Sequence, residues 1–396
     1  MKFLAALSIA LATASSVAAQ AVGGEFSEQV LSALRSNGLT SLADAVAANP
    51  AVVVALQSPG NKTVLAPTNQ ALESAGTLPQ GAALVNLLSY HVLNGSYTND
   101  RIDDGPLLAR TLLTSGVELP GNASQVVILD SQGDDDNERS FVRGNTANVT
   151  FASGTDGPVV GSIRVQPIES VLTPPGDLSS VLGGFEGASA AVEAFNGANL
   201  VTALSNTRGI TIFVPNNAAF EAAQANIASA PQEAQLAVLR NHVINGTTIY
   251  SPQIDEDAGD NTVEDGLRQY SRATSASGQE LRFVEEDDNV FVETEGARAR
   301  IVRSDLLFAN GVAHVIDGVL FNTNTNQTAA DDAADDAEEE GNNNAGGGSS
   351  GGNTGAGGGS GGGSGSSPDG ALSGATASMT VASLFAAVIA GALTLA

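Results

Sequence analysis

Thr63-Val64-Leu65-Ala66-Pro67-Thr68-Asn69-Gln70-Ala71-Leu72 returns 148 residues later as Thr211-Ile212-Phe213-Val214-Pro215-Asn216-Asn217-Ala218-Ala219-Phe220. A second box, Leu88-Ser89-Tyr90-His91-Val92-Leu93-Asn94-Gly95, returns at an offset of 151 as Leu239-Arg240-Asn241-His242-Val243-Ile244-Asn245-Gly246. Two separate boxes that recur in the same order mark a duplicated module. The period is too long for a solenoid, whose units run to roughly 20–50 residues. Tandem domains remain.

Within the first box, Ile210 to Val214 is an unbroken run of β-branched and aromatic residues ended by Pro215-Asn216-Asn217. Such a run predicts a strand buried on both faces, followed by a turn. Helical spacing precedes it in both modules. Phe26, Val30 and Leu34 recur every four residues before Gly38, and Leu42 and Val46 form a second short segment that Pro50 interrupts. Val192, Phe195, Val201 and Leu204 do the same around Gly197. Short strands are expected later in each module: Gln125 to Leu129, Asn148 to Ala152 and Ile163 to Val165, then Leu281 to Val284, Val290 to Glu293, Ala299 to Val302 and His314 to Ile316. Helices grouped early and strands late predict an α+β fold with a mostly antiparallel sheet.

The two boxes resemble those of the fasciclin domain, an extracellular module of cell-surface proteins. The family's closing segment stands almost complete in the second module as Asn310-Gly311-Val312-Ala313-His314-Val315-Ile316-Asp317, and is degenerate in the first as Gln166-Pro167-Ile168-Glu169-Ser170-Val171-Leu172. The Tyr-His pair is intact only in the first module, because Asn241 precedes His242 in the second. The resemblance implies two fasciclin-like domains over residues 24–173 and 177–322, each a wedge-like β-sandwich with flanking helices. It also implies a secreted, glycosylphosphatidylinositol-anchored surface protein of the fungal kind. Tyr90 and His91 are the positions onto which the family's interaction motif carries over.

His91 follows Leu87 and Leu88 by four and three residues, as His242 follows Val238 and Leu239. All three positions share one helical face, so the imidazole is expected in the core, bonded to a backbone carbonyl. The other reading makes it a ligand or a pH sensor.

The chain ends add a location. Residues 1–19 read as a signal peptide, with Lys2, an apolar stretch from Phe3 to Ala12 and small residues Val17-Ala18-Ala19. Residues 369–396 read as an anchor signal: small residues, a short spacer, then the uncharged tail from Met379. Asp369 is the expected attachment point, with Gly365 and Ser366 as alternatives. A single-pass helix is the competing reading, though no basic residue follows the tail. Sequons at Asn61, Asn94, Asn122, Asn148, Asn245 and Asn326 are the expected glycosylation sites. Asn94 and Asn245 occupy the same place in the two repeats, which predicts an exposed turn there.

Pro174-Pro175-Gly176-Asp177 is a short connector, so the domains are expected to touch. Residues 328–368 pass from alanine and acid to Gly, Ser and Asn. With no apolar face to offset ordering entropy, they predict a disordered stalk. A chain of that length has a root-mean-square span of roughly 35 Å.

Composition excludes several functions. There is no cysteine, which removes thiol nucleophiles, thiolate metal sites and disulfide staples. Net charge is −27, so nucleic acid is an unfavourable partner and basic surfaces or divalent cations are favourable ones. The acidic clusters Asp134-Asp135-Asp136 and Asp255-Glu256-Asp257 do not fit the EF-hand loop, and a Gly-x-Ser-x-Gly match at Gly358 to Gly362 lies in linker sequence. No catalytic residue, cofactor or metal site is expected. Adhesion through cell-wall or matrix components, or through a second copy of the chain, is the leading reading. A surface-displayed ligand-binding protein or enzyme is the alternative.

Overall fold

In the computed structural model, the described residues are 24–344, apart from 104, 134–138, 155, 259–262, 265–266 and 288. The signal peptide, the first acidic cluster, residues 345–368 of the stalk and the anchor signal with Asp369 lie outside them.

The first domain runs α1 (residues 24–36), α2 (Thr40–Ala47), α3 (Pro50–Leu56), β1 (Lys62–Pro67), α4 (Asn69–Ala75), α5 (Ala82–Tyr90), β2 (Val92–Asn94) and α6 (Asn99–Asp103). It continues with β3 (Leu107–Arg110), β4 (Val126–Gln132), β5 (Arg139–Val142), β6 (Val149–Thr150), β7 (Val159–Val160) and β8 (Ile163–Ile168). The second domain opens with α7 (Leu178–Gly183), α8 (Ser189–Gly197), α9 (Leu200–Leu204), β9 (Ile210–Pro215), α10 (Asn217–Ser229), α11 (Gln232–Asn241) and β10 (Val243–Asn245). Then come β11 (Val263–Glu264), β12 (Leu267–Arg268), β13 (Arg272–Thr274), β14 (Glu280–Glu286), β15 (Asn289–Thr294), β16 (Ala297–Phe308), β17 (Gly311–Ile316) and α12 (Gln327–Asn344).

β1 and β9 are buried along their whole length, as the run Ile210–Val214 predicts for β9, while in β1 the burial extends to Lys62 and Thr63 as well. Side chains alternate across a strand, so each strand feeds two cores. Val64 and Ala66 pack against the helices, whereas Leu65 enters the core between the sheets. Ile210, Ile212 and Val214 repeat the first role and Phe213 the second. Each strand has one antiparallel neighbour, β2 or β10, and one parallel neighbour, β8 or β17. The remaining pairs of named strands are antiparallel, as expected.

The first domain keeps two four-stranded sheets, β2-β1-β8-β7 and β3-β4-β5-β6. In the second, the long strand β16 pairs with β17 at one end and β15 at the other, with register shifts at Arg303. One seven-stranded sheet results.

Three local readings need correction. Pro50 does not merely interrupt a helix; it sits in the first turn of α3, where its missing N–H costs nothing. The Pro-Thr/Asn-Asn stretch is less a turn than a helix start. Thr68 Oγ1 accepts from Ala71 N at 3.1 Å and Asn216 Oδ1 from Ala219 N at 2.8 Å, which caps α4 and α10. Disorder from residue 328 does not hold as far as 344, because α12 is helical there. Ala330, Ala333, Ala334 and Ala337 recur at helical spacing and supply the apolar stripe that composition alone concealed.

The domains do touch. Leu108, Val126 and Ile128 of the first form one buried cluster with Tyr250, Leu307 and Val312 of the second. Beside it, Arg143 binds Asp130 at 2.8 Å in its own domain and Asp305 at 3.0 Å in the other. Arg143 also donates to Ser251 and Ser304, each at 3.0 Å. The Asp305 side chain is 0 % exposed, and its Oδ1 accepts from Ser251 N at 2.8 Å. Asn145 completes the lock, donating to Leu307 O at 2.7 Å and accepting from Leu307 N at 2.9 Å. Arg143→Ala would leave a buried carboxylate without its cation, a loss of about 3–5 kcal/mol. Urea unfolding followed separately in each domain should then resolve two transitions where the parent shows one.

Candidate functional site

The two histidines at the ends of α5 and α11 make the same three connections. His91 Nδ1 lies 2.8 Å from Leu87 O, and its Nε2 accepts from Leu172 N at 2.9 Å. Its own carbonyl accepts from Leu65 N of β1 at 2.8 Å. His242 lies 2.8 Å from Val238 O, accepts from Leu320 N at 3.0 Å, and takes Phe213 N of β9 at 2.8 Å. A carbonyl only accepts and an amide only donates, so both rings are neutral with the proton on Nδ1. Each histidine therefore clasps a helix end, the central strand and the chain segment that closes the domain.

Burial holds both rings neutral. It lowers their pKa to about 4, against a smaller opposing effect of the Leu87 and Val238 carbonyls. The unfolded chain, with ordinary histidines near 6.5, binds more protons than the folded chain between pH 6.5 and 4. Stability is thus full above pH 6.5 and falls as pH drops toward 4. The slope is roughly 1.4 kcal/mol per pH unit for each histidine. Urea unfolding from pH 7 to pH 5 should show this loss, and the His91→Asn/His242→Asn double variant, though less stable at pH 7, should lose that part of the slope.

Tyr90 and His91, the expected interaction motif, are both inside the protein. His91 is 3 % exposed and Tyr90 5 %, and the Tyr90 hydroxyl donates to Val126 O at 3.4 Å. A packed ring bonded to backbone cannot also meet a partner, so the contact-surface reading is corrected in favour of a core role. In the second domain Asn241 replaces the tyrosine, donates to Leu320 O at 3.1 Å and accepts from Ser275 and Ser277. His314 is buried as well, stacked on Phe213, with Nε2 2.8 Å from Ile249 O and Nδ1 facing Asp305 N. Burial is again the main cause of its lowered pKa.

A concavity of about 570 Å³ lies between α4 and the closing segment of the first domain, lined by Ser74, Thr77, Leu78, Leu87, Val171 and Pro174 among others. No ionisable side chain lines it. Among the described residues no group of three or more His, Asp or Glu is arranged to hold a metal ion. Among the same residues no helix is long and apolar enough to cross a membrane.

Of the expected glycosylation sites, Asn61, Asn94, Asn122, Asn148 and Asn326 are exposed. Asn245 is only half-buried in name: its Oδ1 is fully enclosed and has no hydrogen-bond partner among the described residues. Asn94 and Asn245 do not lie on an exposed turn but end β2 and β10, paired with Lys62 and Ile210. Sequence reading missed the asparagine that follows the helix cap in each first box, Asn69 and Asn217. Asn69 bonds Ser41 N and Thr40 Oγ1, each at 3.0 Å, while Asn217 bonds Ala190 N at 3.0 Å and Glu186 O at 2.9 Å. Its recurrence in both repeats was the available signal.

The model of the fasciclin domain matches this chain twice, over residues 37–155 and 186–322. The chain belongs to the fasciclin domain family. Among similar proteins, the fasciclin-like arabinogalactan protein elcF of Phaeosphaeria nodorum is 28 % identical over 272 residues, 66 % of this chain and 78 % of that protein. A fasciclin-like arabinogalactan protein of Arthroderma benhamiae is 25 % identical over 250 residues, 62 % of this chain, which spans only 52 % of that relative. Among solved structures, a FAS1 domain pair from the insect cell adhesion molecule Fasciclin I is 20 % identical, with a TM-score of 0.34 over 72 % of this chain and 98 % of that one. The family and these fungal relatives place the protein in an extracellular or cell-surface setting.

Proposed function

We propose that this fasciclin-domain protein is a non-catalytic adhesion protein, anchored to the cell surface, that binds cell-wall or matrix components or a second copy of itself. The observation that carries this reading is the commitment of all three histidines to buried backbone hydrogen bonds. They are the side chains that do proton transfer near neutral pH, and the small cavity that His91 lines has no other ionisable group among the described residues. A partner would then meet the outer surface of the two joined domains. The names of the fungal relatives support the same setting.

In this reading the signal peptide is removed, Asp369 carries the lipid anchor and the exposed sequons carry glycans. The net charge of −27 disfavours nucleic acid as a partner. A single domain pair binds weakly, and many copies on tethers gain by effective concentration, by roughly 10²–10⁴. Cells displaying the full chain should attach to wall material and lose that attachment on treatment with a phosphatidylinositol-specific phospholipase. Removing residues 341–367 should weaken attachment while the affinity of a soluble fragment, residues 20–344, stays unchanged. Attachment that survives the phospholipase would refute the anchor, and attachment equal to that of cells without the protein would refute adhesion.

A further inference from the structure

The helix α12 lies across the junction of the two domains. Its first turn is fixed to the second domain, where Asn326 N donates to Ser277 O at 2.8 Å and Asn326 Oδ1 accepts from Ala329 N at 3.3 Å. Further along, it packs on the Pro120–Asn122 turn of the first domain. Between those points it passes over Gly246. A Cβ built there would stand 2.8 Å from the Ala337 Cβ, and Ala337 is 9 % exposed. The matching glycine of the first domain, Gly95, faces its own Tyr97 ring instead. The acidic residues Asp332, Asp335, Asp336, Glu338 and Glu339 all face solvent. Small alanine contacts are thus what holds the helix down, and local opening of such a segment costs little.

Gly246 is the middle residue of the sequon Asn245-Gly246-Thr247. The helix therefore sits against the residue next to an asparagine whose amide oxygen is enclosed, whereas Asn94, its counterpart, is open. We propose that α12 and an N-linked glycan on Asn245 are alternative occupants of this seam, so that glycosylation there releases the root of the stalk from the two-domain body. In the modification, Asn245 Nδ2 forms a bond to the anomeric carbon of a lipid-pyrophosphate-linked oligosaccharide. The lipid pyrophosphate leaves with the bonding electrons, and the amide proton passes to the transferase's base. Unmodified chains hold the helix as a strap across both domains. Modified chains extend it as part of the tether.

Absence of native cysteine allows a direct test on the full chain. Asn245→Cys and Asn94→Cys each introduce one thiol, to be alkylated with a maleimide-polyethylene glycol that mimics glycan bulk. The thiol at 245 should react about tenfold slower than that at 94, and adding Ala337→Glu should bring the two within about twofold. Hydrogen exchange should show amides 330–337 protected in the parent and unprotected once the 245 adduct is in place. The Asn94→Cys chain, whose site the helix does not touch, serves as the folding control and should keep the protection after alkylation. Equal rates at the two thiols, protection that persists beside the 245 adduct, or a helix unprotected in every chain would each overturn the proposal. None of these outcomes depends on whether the protein mediates adhesion.

Discussion

Each domain depends on a neutral imidazole that accepts a backbone amide from the distant closing segment while donating to its own helix. Through that ring and its own carbonyl, His91 joins Leu87, Leu65 and Leu172, and His242 joins Val238, Phe213 and Leu320. These are groups a fold of this kind must otherwise leave unpaired. α5 and α11 end at the histidine, the central strand passes beside it, and the closing segment arrives with an amide that no strand takes. An orphaned buried amide costs about 1–3 kcal/mol. No other side chain offers a donor and an acceptor on opposite edges of a rigid ring at that separation. Retention of the histidine in both repeats, while the tyrosine before it changes to asparagine, follows from that geometry.

The two clasped domains then become one body through a different device. The apolar cluster around Tyr250 and Leu307 lines the junction, and beside it Arg143 pairs with a fully buried Asp305. A buried ion pair adds little net stability over an apolar one, but a mispaired one is costly. Its use here favours one relative orientation of the domains over others. For the proposed adhesive role a fixed orientation matters, because it presents both outer surfaces, and the exit of α12, in one geometry.

Much of this was legible in the residues. The unbroken apolar run at Ile210–Val214 announced a doubly buried strand, and the i−4 spacing of His91 from Leu87 announced the helix bond. Other features had no local signal. Nothing near Arg143 points to a carboxylate 162 positions away, and the acceptor role of His91 Nε2 depends on Leu172, which arrives from 81 positions on. α12 was hidden for a different reason. Its alanines bury too little surface to hold a helix alone, and they count only because a flat seat formed by Gly246 and Pro120–Asn122 lies beneath them.

The clasp in each domain requires His91 and His242 to be neutral, Nδ1-protonated structural groups. Nitrogen-15 NMR of the imidazoles in the folded protein tests it most directly. His91 and His242 should both show a protonated Nδ1 and an unprotonated Nε2, with shifts that stay constant from pH 7 down to pH 5. Titration of either ring with a midpoint near 6.5, or the opposite tautomer, would contradict the account.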